Sequence, residues 1–161
     1  MLEALIETIY QEKRTYYIGN YPVTITEVEF IVPPVSSDIV VRSLSPVCIY
    51  STAVLPNGKK RTIYYEPEEK EFSELIRQNA VKKYCAFHQH EPEDTELKVI
   101  PCGKMKEVKS SYKGFLIKGY LGRFRLIGSQ ELIQMMLEAG MGGKNAEGKG
   151  MIVPEKLATI E

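Results

Sequence analysis

The sequence contains no tryptophan, only two histidines and only three cysteines, Cys48, Cys85 and Cys102. The cysteines are far apart and show no Cys-x-x-Cys spacing, which argues against a disulfide framework and a structural zinc site. Free thiols favour a reducing compartment, so we expect a cytoplasmic protein. No apolar run approaches the roughly 18 residues that span a bilayer, and the N-terminus lacks the basic start of a signal peptide.

Net charge is also lacking, because 21 lysines and arginines balance 21 aspartates and glutamates. A polyanionic partner would therefore have to be held by a local basic patch. The composition, 43% hydrophobic and 26% charged residues, is that of a folded globular protein. A chain of 161 residues can bury one core and is short for two complete domains.

The first part of the chain predicts a helix, a turn and a strand. Apolar residues recur at helical spacing at Leu2, Leu5, Ile6 and Ile9. Gly19-Asn20 predicts a turn, and the stretch from Val23 to Val32 predicts a strand. Helix plus strand is half of a ferredoxin-like unit and cannot close a core alone. We expect its exposed apolar stripe to be covered in a homodimer.

A proline- and serine-rich linker follows at residues 33–38, so we predict two domains, residues 1–34 and residues 35–161. From Val47 onward the predicted order is β-α-β-β-α-β. This is the order of a ferredoxin-like (RRM-like) α+β fold, in which two helices cover one face of an antiparallel sheet.

Two amphipathic helices are predicted in the second domain. Pro67 favours the first turn of one, whose buried stripe consists of Phe72, Leu75, Ile76, Ala80 and Tyr84. Ser129 is a typical N-cap of the other, and Gly140 is a typical end.

The glycine-rich loop from Gly140 to Gly150 has five glycines and one asparagine in eleven positions. It is not a P-loop, since it leaves a helix and enters a strand, and Gly150 replaces the Ser or Thr that binds magnesium. Glycines permit positive φ, so consecutive N–H groups can form an anion-binding concavity with lysines at its rim. The alternative is a helix cap followed by a flexible turn. The residues proposed to bind RNA here are Gly140, Gly142, Gly143, Lys144, Asn145, Gly148, Lys149 and Gly150.

The densest basic region lies in the hairpin that precedes the second helix. Its candidate RNA-binding residues are Lys104, Lys106, Lys109, Lys113, Arg123 and Arg125, with tyrosines interleaved. Cations that neutralise phosphates, combined with stacking aromatics, are typical of RNA recognition. The alternative is an ordinary charged ribbon edge, which hinders aggregation.

His88 and His90 are the weak candidates for acid–base chemistry, because histidine titrates near neutral pH. Their acidic neighbours would repel RNA, which favours a solvated loop instead. No cysteine or third histidine completes a metal-ligand set beside them, so we expect neither metal nor cofactor.

Four segments carry a resemblance to a known family: GMGGKNAEGKGMIV, SQELIQMMLEAG, LSPV and EKEFSELIRQNAVKKY. Together, from near Ser43 to Pro154, they resemble the CRISPR-associated precursor-crRNA endoribonucleases of the RAMP superfamily. The resemblance implies tandem ferredoxin-like domains that bind CRISPR repeat RNA along a basic cleft, partly through the glycine-rich loop. It also implies cleavage without metal, in which the ribose 2′-hydroxyl attacks the adjacent phosphate.

The sequence departs from the pattern of this family at its start. By resemblance, residues 1–32 match only the last helix and strand of the family's first domain, and the usual catalytic histidine lies in the part that is missing. No catalytic residue is therefore carried over, and we expect repeat-RNA binding and processing with an incomplete active site. The alternatives are a non-catalytic RNA-binding or scaffold subunit of a CRISPR effector complex, beside other CRISPR-associated proteins, and a purely structural interaction protein.

Overall fold

The computed structural model describes residues 7–8, 15–27, 34–112 and 114–155. The chain divides into two compact units, Met1–Val32 and Pro33–Glu161. In the first unit, β1 (Tyr16–Ile18) pairs antiparallel with β2 (Tyr21–Val23). The turn between them is the one predicted at Gly19-Asn20, where Gly19 has φ 62°.

The strand predicted from Val23 to Val32 is wrong over residues 24–27, which form no strand. The apolar strand formers around the Gly-Asn turn pair with each other, so the extended segment ends where the short hairpin ends. Residues 28–32 of that prediction lie outside the described residues. The same is true of Leu2, Leu5, Ile6 and Ile9, so the homodimer stays a prediction.

The second unit contains a four-stranded antiparallel sheet in the order β6-β7-β3-β8. Its strands are β3 (Asp38–Ser43), β6 (Leu97–Tyr112), β7 (Phe115–Gly128) and β8 (Ile152–Pro154). Helix α1 (Lys70–His88) lies between β3 and β6 in the chain, and α2 (Gln130–Ala139) lies between β7 and β8. This is the split β-α-β order, and the predicted ferredoxin-like α+β fold is confirmed.

The first strand of this arrangement is β3, so its placement at Val47 was wrong. Val47 and Cys48 form only isolated bridges, to Tyr120 and Gly143. The hairpin of β4 (Tyr50–Val54) and β5 (Lys60–Tyr64) is a separate two-stranded sheet between β3 and α1. The run Ile39–Val41 suits a strand with neighbours on both edges, and β3 pairs with both β7 and β8.

The core lies between the sheet and the two helices. Phe72 on α1 stacks on Phe124 on β7 with 6.0 Å between ring centroids. The predicted stripe of α1 is confirmed at Phe72, Ile76, Ala80 and Tyr84, which are buried, while Leu75 is only partly buried against the core. Helix α2 buries Leu132, Ile133, Met135 and Met136.

The helix boundaries follow local capping. Helix α1 begins at Lys70, three residues after Pro67, because Pro67 and Glu68 form a turn. The carboxylate of the N-cap residue Glu69 accepts a hydrogen bond of 2.5 Å from the N–H of Glu66. The predicted caps of α2 are confirmed: the Ser129 side chain accepts from the N–H of Leu132, and Gly140 is the C-cap.

Strands β6 and β7 form a hairpin that extends past the sheet. Their register shifts between Cys102 and Lys106, and the pairing then continues to Tyr112 and Phe115. We call residues 106–121 the ribbon. On the outer edge of β6, the N–H of Val99 donates to the Ser73 hydroxyl at 2.9 Å.

Within the described residues, no helix has the length and apolar character that crossing a membrane requires.

Candidate functional site

The glycine-rich loop is bound along the segment that joins β3 to β4. The N–H of Gly143 donates to the Cys48 carbonyl at 2.8 Å, and the N–H of Gly150 donates to the Pro46 carbonyl at 3.0 Å. The Ser45 hydroxyl accepts from the N–H of Met151 at 2.8 Å. The loop is thus packed onto the domain on this side, and Met141 at its start is fully buried.

The glycine N–H groups therefore have another role than the one we expected. Those of Gly140, Gly143, Gly148 and Gly150 donate to carbonyls of Met136, Cys48, Asn145 and Pro46. The expectation of an anion-binding concavity is corrected for these four N–H groups, because each already has a partner within the protein. Whether the loop residues bind RNA is a separate question and stays a prediction.

Close packing explains two of the glycines. Gly142 has φ 75°, and a Cβ there would lie 2.5 Å from the Cys48 carbonyl oxygen. Gly150 has φ 76°, and a Cβ there would overlap the carbonyl oxygen of Met141. Any larger residue at either position would force the loop away from its contacts.

The carbonyl groups at the start of the loop converge on a lysine that the sequence analysis did not single out. The ammonium of Lys83, on α1, donates to the carbonyl of Gly140 at 2.6 Å and to that of Gly142 at 2.9 Å. Burial lowers the pKa of Lys83 to about 8. Its position beside Tyr84, on the packed side of an amphipathic helix, is the only sequence signal that could have found it.

The outer part of the loop carries Lys144 and Lys149. Lys144 has φ 61°, pairs with Glu147 at 3.1 Å, and lies 5.5 Å over the ring of Tyr50. The hydrogen bond with Glu147 raises the pKa of Lys144, so its positive charge is secure at neutral pH.

Tyrosines that the sequence analysis had not chosen lie beside this lysine. The rings of Tyr50 and Tyr64 are 5.7 Å apart, and the Tyr64 hydroxyl donates to the Leu116 carbonyl of the ribbon. Both rings are only partly covered.

The loop and the ribbon meet in a crevice of about 250 Å³. Its lining residues are Ser110, Ser111, Tyr112, Ile117, Ala146, Glu147 and Lys149. Strand alternation places Lys106 on the same side of the ribbon as Ser110, with Lys109 on the other side. The crevice thus combines hydroxyl groups, an aromatic ring, a lysine and the carboxylate of Glu147, which is paired with Lys144.

The other predicted cations of the ribbon are partly neutralised within the protein. Lys109 pairs with Glu107 at 2.8 Å, and Lys118 bridges Glu107 and Glu66 at 2.7 and 2.8 Å. The same lysines lower the pKa of Glu107 to about 2. Lys104 and Lys106 are exposed, whereas Lys113 lies outside the described residues.

Arg123 and Arg125 project together from the helix-free face of the sheet, as alternation predicts, while Phe124 is buried. Each is paired within the protein. Arg125 forms two hydrogen bonds with Asp38, of 2.8 and 2.5 Å, which lower the pKa of that carboxyl group, and Arg123 pairs with Glu155. Sequence reasoning missed Arg42, which lies opposite Arg123 in the sheet register and is exposed.

The structure brings His88 and His90 together, but not beside the loop. Their ring centroids are 5.7 Å apart and lie 4.3 and 5.5 Å from that of Tyr84. The Tyr84 hydroxyl donates at 2.5 Å to the carboxylate of Glu131, which lies in the first turn of α2. This hydrogen bond raises the pKa of Tyr84 to about 12. The glycine-rich loop follows the other end of α2, which is ~15 Å long at its ten residues.

No three His, Cys, Asp or Glu side chains are grouped as metal ligands within the part of the chain that the structure describes.

Comparisons with known proteins agree with this architecture. A family model described as CRISPR associated protein Cas6, C-terminal, matches residues 27–154. A relative from Pyrococcus horikoshii, named as a CRISPR-associated endoribonuclease-like protein Cas6nc, is 24% identical over 153 residues. That alignment covers 94% of this chain and 63% of the relative.

Two solved structures share the fold. A Cas6-related protein from Pyrococcus furiosus has a TM-score of 0.83 at 21% identity, over 96% of this chain and 63% of its own. A RAMP protein described as binding different RNA substrates has a TM-score of 0.74 at 21% identity, over 96% of this chain and 64% of its own. The chain therefore spans less than two thirds of the length of these relatives.

Proposed function

Because this chain belongs to the family of CRISPR associated Cas6 proteins, matching the C-terminal part of that family, we propose that it binds CRISPR repeat RNA at the crevice between the glycine-rich loop and the ribbon. The observation that carries the proposal is that crevice, where Lys149, Tyr112 and two serine hydroxyls lie together and where the one lining acid, Glu147, is paired with Lys144. The family and the RNA-binding RAMP protein of the same fold support the choice of ligand.

The chemistry of the crevice favours an unpaired stretch of RNA. Exposed tyrosines offer a surface on which a free base can stack, and lysines neutralise the phosphates next to it. Lys144 and Lys149 supply charge from the loop, while Lys106 supplies it from the ribbon. Tyr50 is 36% exposed and Tyr112 is 49% exposed, so part of each side chain faces solvent.

The test is a titration of fluorescent CRISPR repeat RNA at several salt concentrations. For Lys144→Gln/Lys149→Gln we expect affinity to fall about tenfold or more. We also expect the slope of log affinity against log salt to decrease by about 1.4, because each phosphate contact with a single strand contributes about 0.7. Lys59→Gln/Lys60→Gln, at the tip of the β4–β5 hairpin, removes the same charge and is expected to keep the wild-type affinity. An equal loss in both variants, or no binding by the wild type, would contradict the proposal.

Cleavage is proposed to need groups other than the crevice residues. Attack by the 2′-hydroxyl requires a proton acceptor and a proton donor close to the reacting phosphate. His88 and His90 lie at the opposite end of α2 beside Glu131, where a phosphate would be repelled. We therefore propose that this chain holds the repeat RNA and that the histidines take no part in cutting it.

Incubation with repeat RNA in EDTA tests this second statement. If the RNA is cut, His88→Ala/His90→Ala is expected to cut it at an unchanged rate. Loss of cutting in that variant, with RNA affinity preserved, would assign the acid–base role to the histidines and overturn the statement.

A further inference from the structure

The start of the glycine-rich loop is a cation site that the protein fills with its own side chain. The Lys83 ammonium contacts the carbonyl oxygens of Gly140 and Gly142 at 2.6 and 2.9 Å. Both glycines have positive φ, 86° and 75°, which lets the two carbonyls face the same ammonium group. At this point the loop directs two carbonyl groups, which bind a cation, and not N–H groups, which would bind an anion.

The position of Lys83 is favourable for a second reason. Gly140 is the C-cap of α2, and a helix carries partial negative charge at its C-terminal end. Helix α2 has no basic residue in its own last turn, so α1 provides the cation. Burial lowers the pKa of Lys83 to about 8, and the two carbonyl oxygens are the hydrogen-bond acceptors that its partly buried ammonium group contacts.

The loop is therefore held from two sides. Its carbonyls at residues 140 and 142 bind Lys83, and its N–H groups at residues 143 and 150 bind the carbonyls of Cys48 and Pro46. Lys144 follows directly after this clamped segment. Its left-handed backbone, with φ 61°, directs the next residues back toward the crevice.

We propose that Lys83 is the positioning residue of the RNA-binding loop: its ammonium fixes the carbonyls of Gly140 and Gly142, and this places Lys149 at the crevice and Lys144 over the ring of Tyr50. The proposal rests on the RNA-binding function proposed above. Lys83 is partly buried and contacts the loop from within, so it acts on RNA through the two loop lysines.

The experiment compares Lys83→Met, which keeps a long side chain without charge, with Lys82→Met on the exposed neighbour. Lys83→Met is expected to weaken repeat-RNA binding about tenfold and to leave the fold intact by circular dichroism. In the Lys144→Gln/Lys149→Gln background, Lys83→Met is expected to weaken binding less than about twofold, because residues that act through one another are not additive. Lys82→Met is expected to weaken it less than about twofold in both backgrounds.

Amide hydrogen exchange measured by NMR reports the loop directly. In Lys83→Met, the Gly143 N–H is expected to exchange at least about ten times faster, while the N–H of Val41 in the central strand is unchanged. If Lys83→Met does not fold, Lys83→Gln provides the same comparison, since its amide still donates to one carbonyl and is expected to raise Gly143 exchange less.

Two results would overturn the proposal: unchanged exchange at Gly143, or effects of Lys83→Met and the loop substitutions that add in full. If the wild type binds no RNA, the proposed function fails on its own. The exchange comparison then still decides whether Lys83 sets the shape of the loop. Unchanged exchange at Gly143 would show that Lys83 does not position the loop.

Discussion

The two ends of α2 are surrounded by opposite charges, although neighbouring residues of α1 contact both. Lys83 reaches the C-terminal end and binds the loop carbonyls, whereas Tyr84 reaches the N-terminal end and binds Glu131. Glu131 also accepts a hydrogen bond from the N–H of Glu93. Each end thus has the charge that the helix dipole favours.

This difference teaches where a polyanion can approach the domain. The C-terminal end adds Lys144 and Lys149 to Lys83, while the N-terminal end adds acids to the two histidines. A histidine pair is chemically the more reactive feature, yet the charge around it opposes RNA. Electrostatic environment, rather than residue type, decides which end of the helix we expect to bind.

The largest expected effect on stability is at the C-terminal end, where the chain enters the core. Met141 is fully buried, so Met141→Ala is expected to lower the free energy of unfolding by about 2–5 kcal/mol through loss of burial and a residual cavity. Met151 is 57% exposed and provides the matched control, for which we expect a change within about 0.5 kcal/mol. Urea unfolding measures both, and equal losses would mean that the loop is not anchored as described.

A smaller effect is expected from the glycines of the same loop. Gly150→Ala is expected to cost about 1–3 kcal/mol, because a Cβ there overlaps the Met141 carbonyl at positive φ. Gly148 has φ 73° with open space around it, so Gly148→Ala is expected to cost about 1 kcal/mol. Thermal unfolding compares the pair. A larger cost at Gly148 than at Gly150 would count against the tight packing.

The stability contributed by the Tyr84–Glu131 hydrogen bond, at the N-terminal end of α2, is expected to depend on pH. The Tyr84 hydrogen bond lowers the pKa of Glu131 below its ordinary value of 4.5. The stabilisation it provides is therefore present above pH 4.5 and is lost as pH falls through the lower, folded-state value. We expect Tyr84→Phe to lower Tm at pH 7 and to lower it less in acid.

Tyr65→Phe is the control for that prediction, since Tyr65 shares its hydrogen bond with the neutral Ser51 hydroxyl. Its effect on Tm is expected to be the same at both pH values. A Tyr84→Phe loss that persisted unchanged in acid would remove Glu131 as the cause.

The smallest expected effect is on RNA affinity, and it compares substitutions at the two ends of α2. His88→Gln/His90→Gln is expected to change repeat-RNA affinity less than about twofold, because these rings lie among acids and make no phosphate contact in the proposal. Filter binding beside Lys144→Gln/Lys149→Gln measures the contrast. A histidine variant that bound as weakly as the lysine variant would reverse the assignment of the two ends.

Local signals allowed much of the second unit to be predicted from its residues. The stripe of α1, the Ser129 N-cap and the Gly140 C-cap are encoded within a few neighbouring positions, and each was confirmed. The role of β3 could not be read in this way, because β3 and the Val47 segment are both apolar and only long-range pairing separates them. The register shift within β6 is likewise a property of two strands together.

The candidate site likewise depends on long-range contacts that the local sequence does not reveal. Glycines and lysines in one loop indicated its importance, but the direction of the N–H and carbonyl groups depends on Pro46, Cys48 and Lys83. All three are distant in sequence from the loop. A pattern therefore revealed which segment is unusual and not which of its polar groups face the protein.

The outer edge of β6 has a consequence for assembly. Alternation directs the main-chain groups of Leu97, Val99 and Pro101 away from β7. The Val99 N–H is taken by Ser73, and proline has none to offer. A strand from another molecule would find few donors along this stretch, so we do not expect the sheets of neighbouring copies to join edge to edge at residues 97–101.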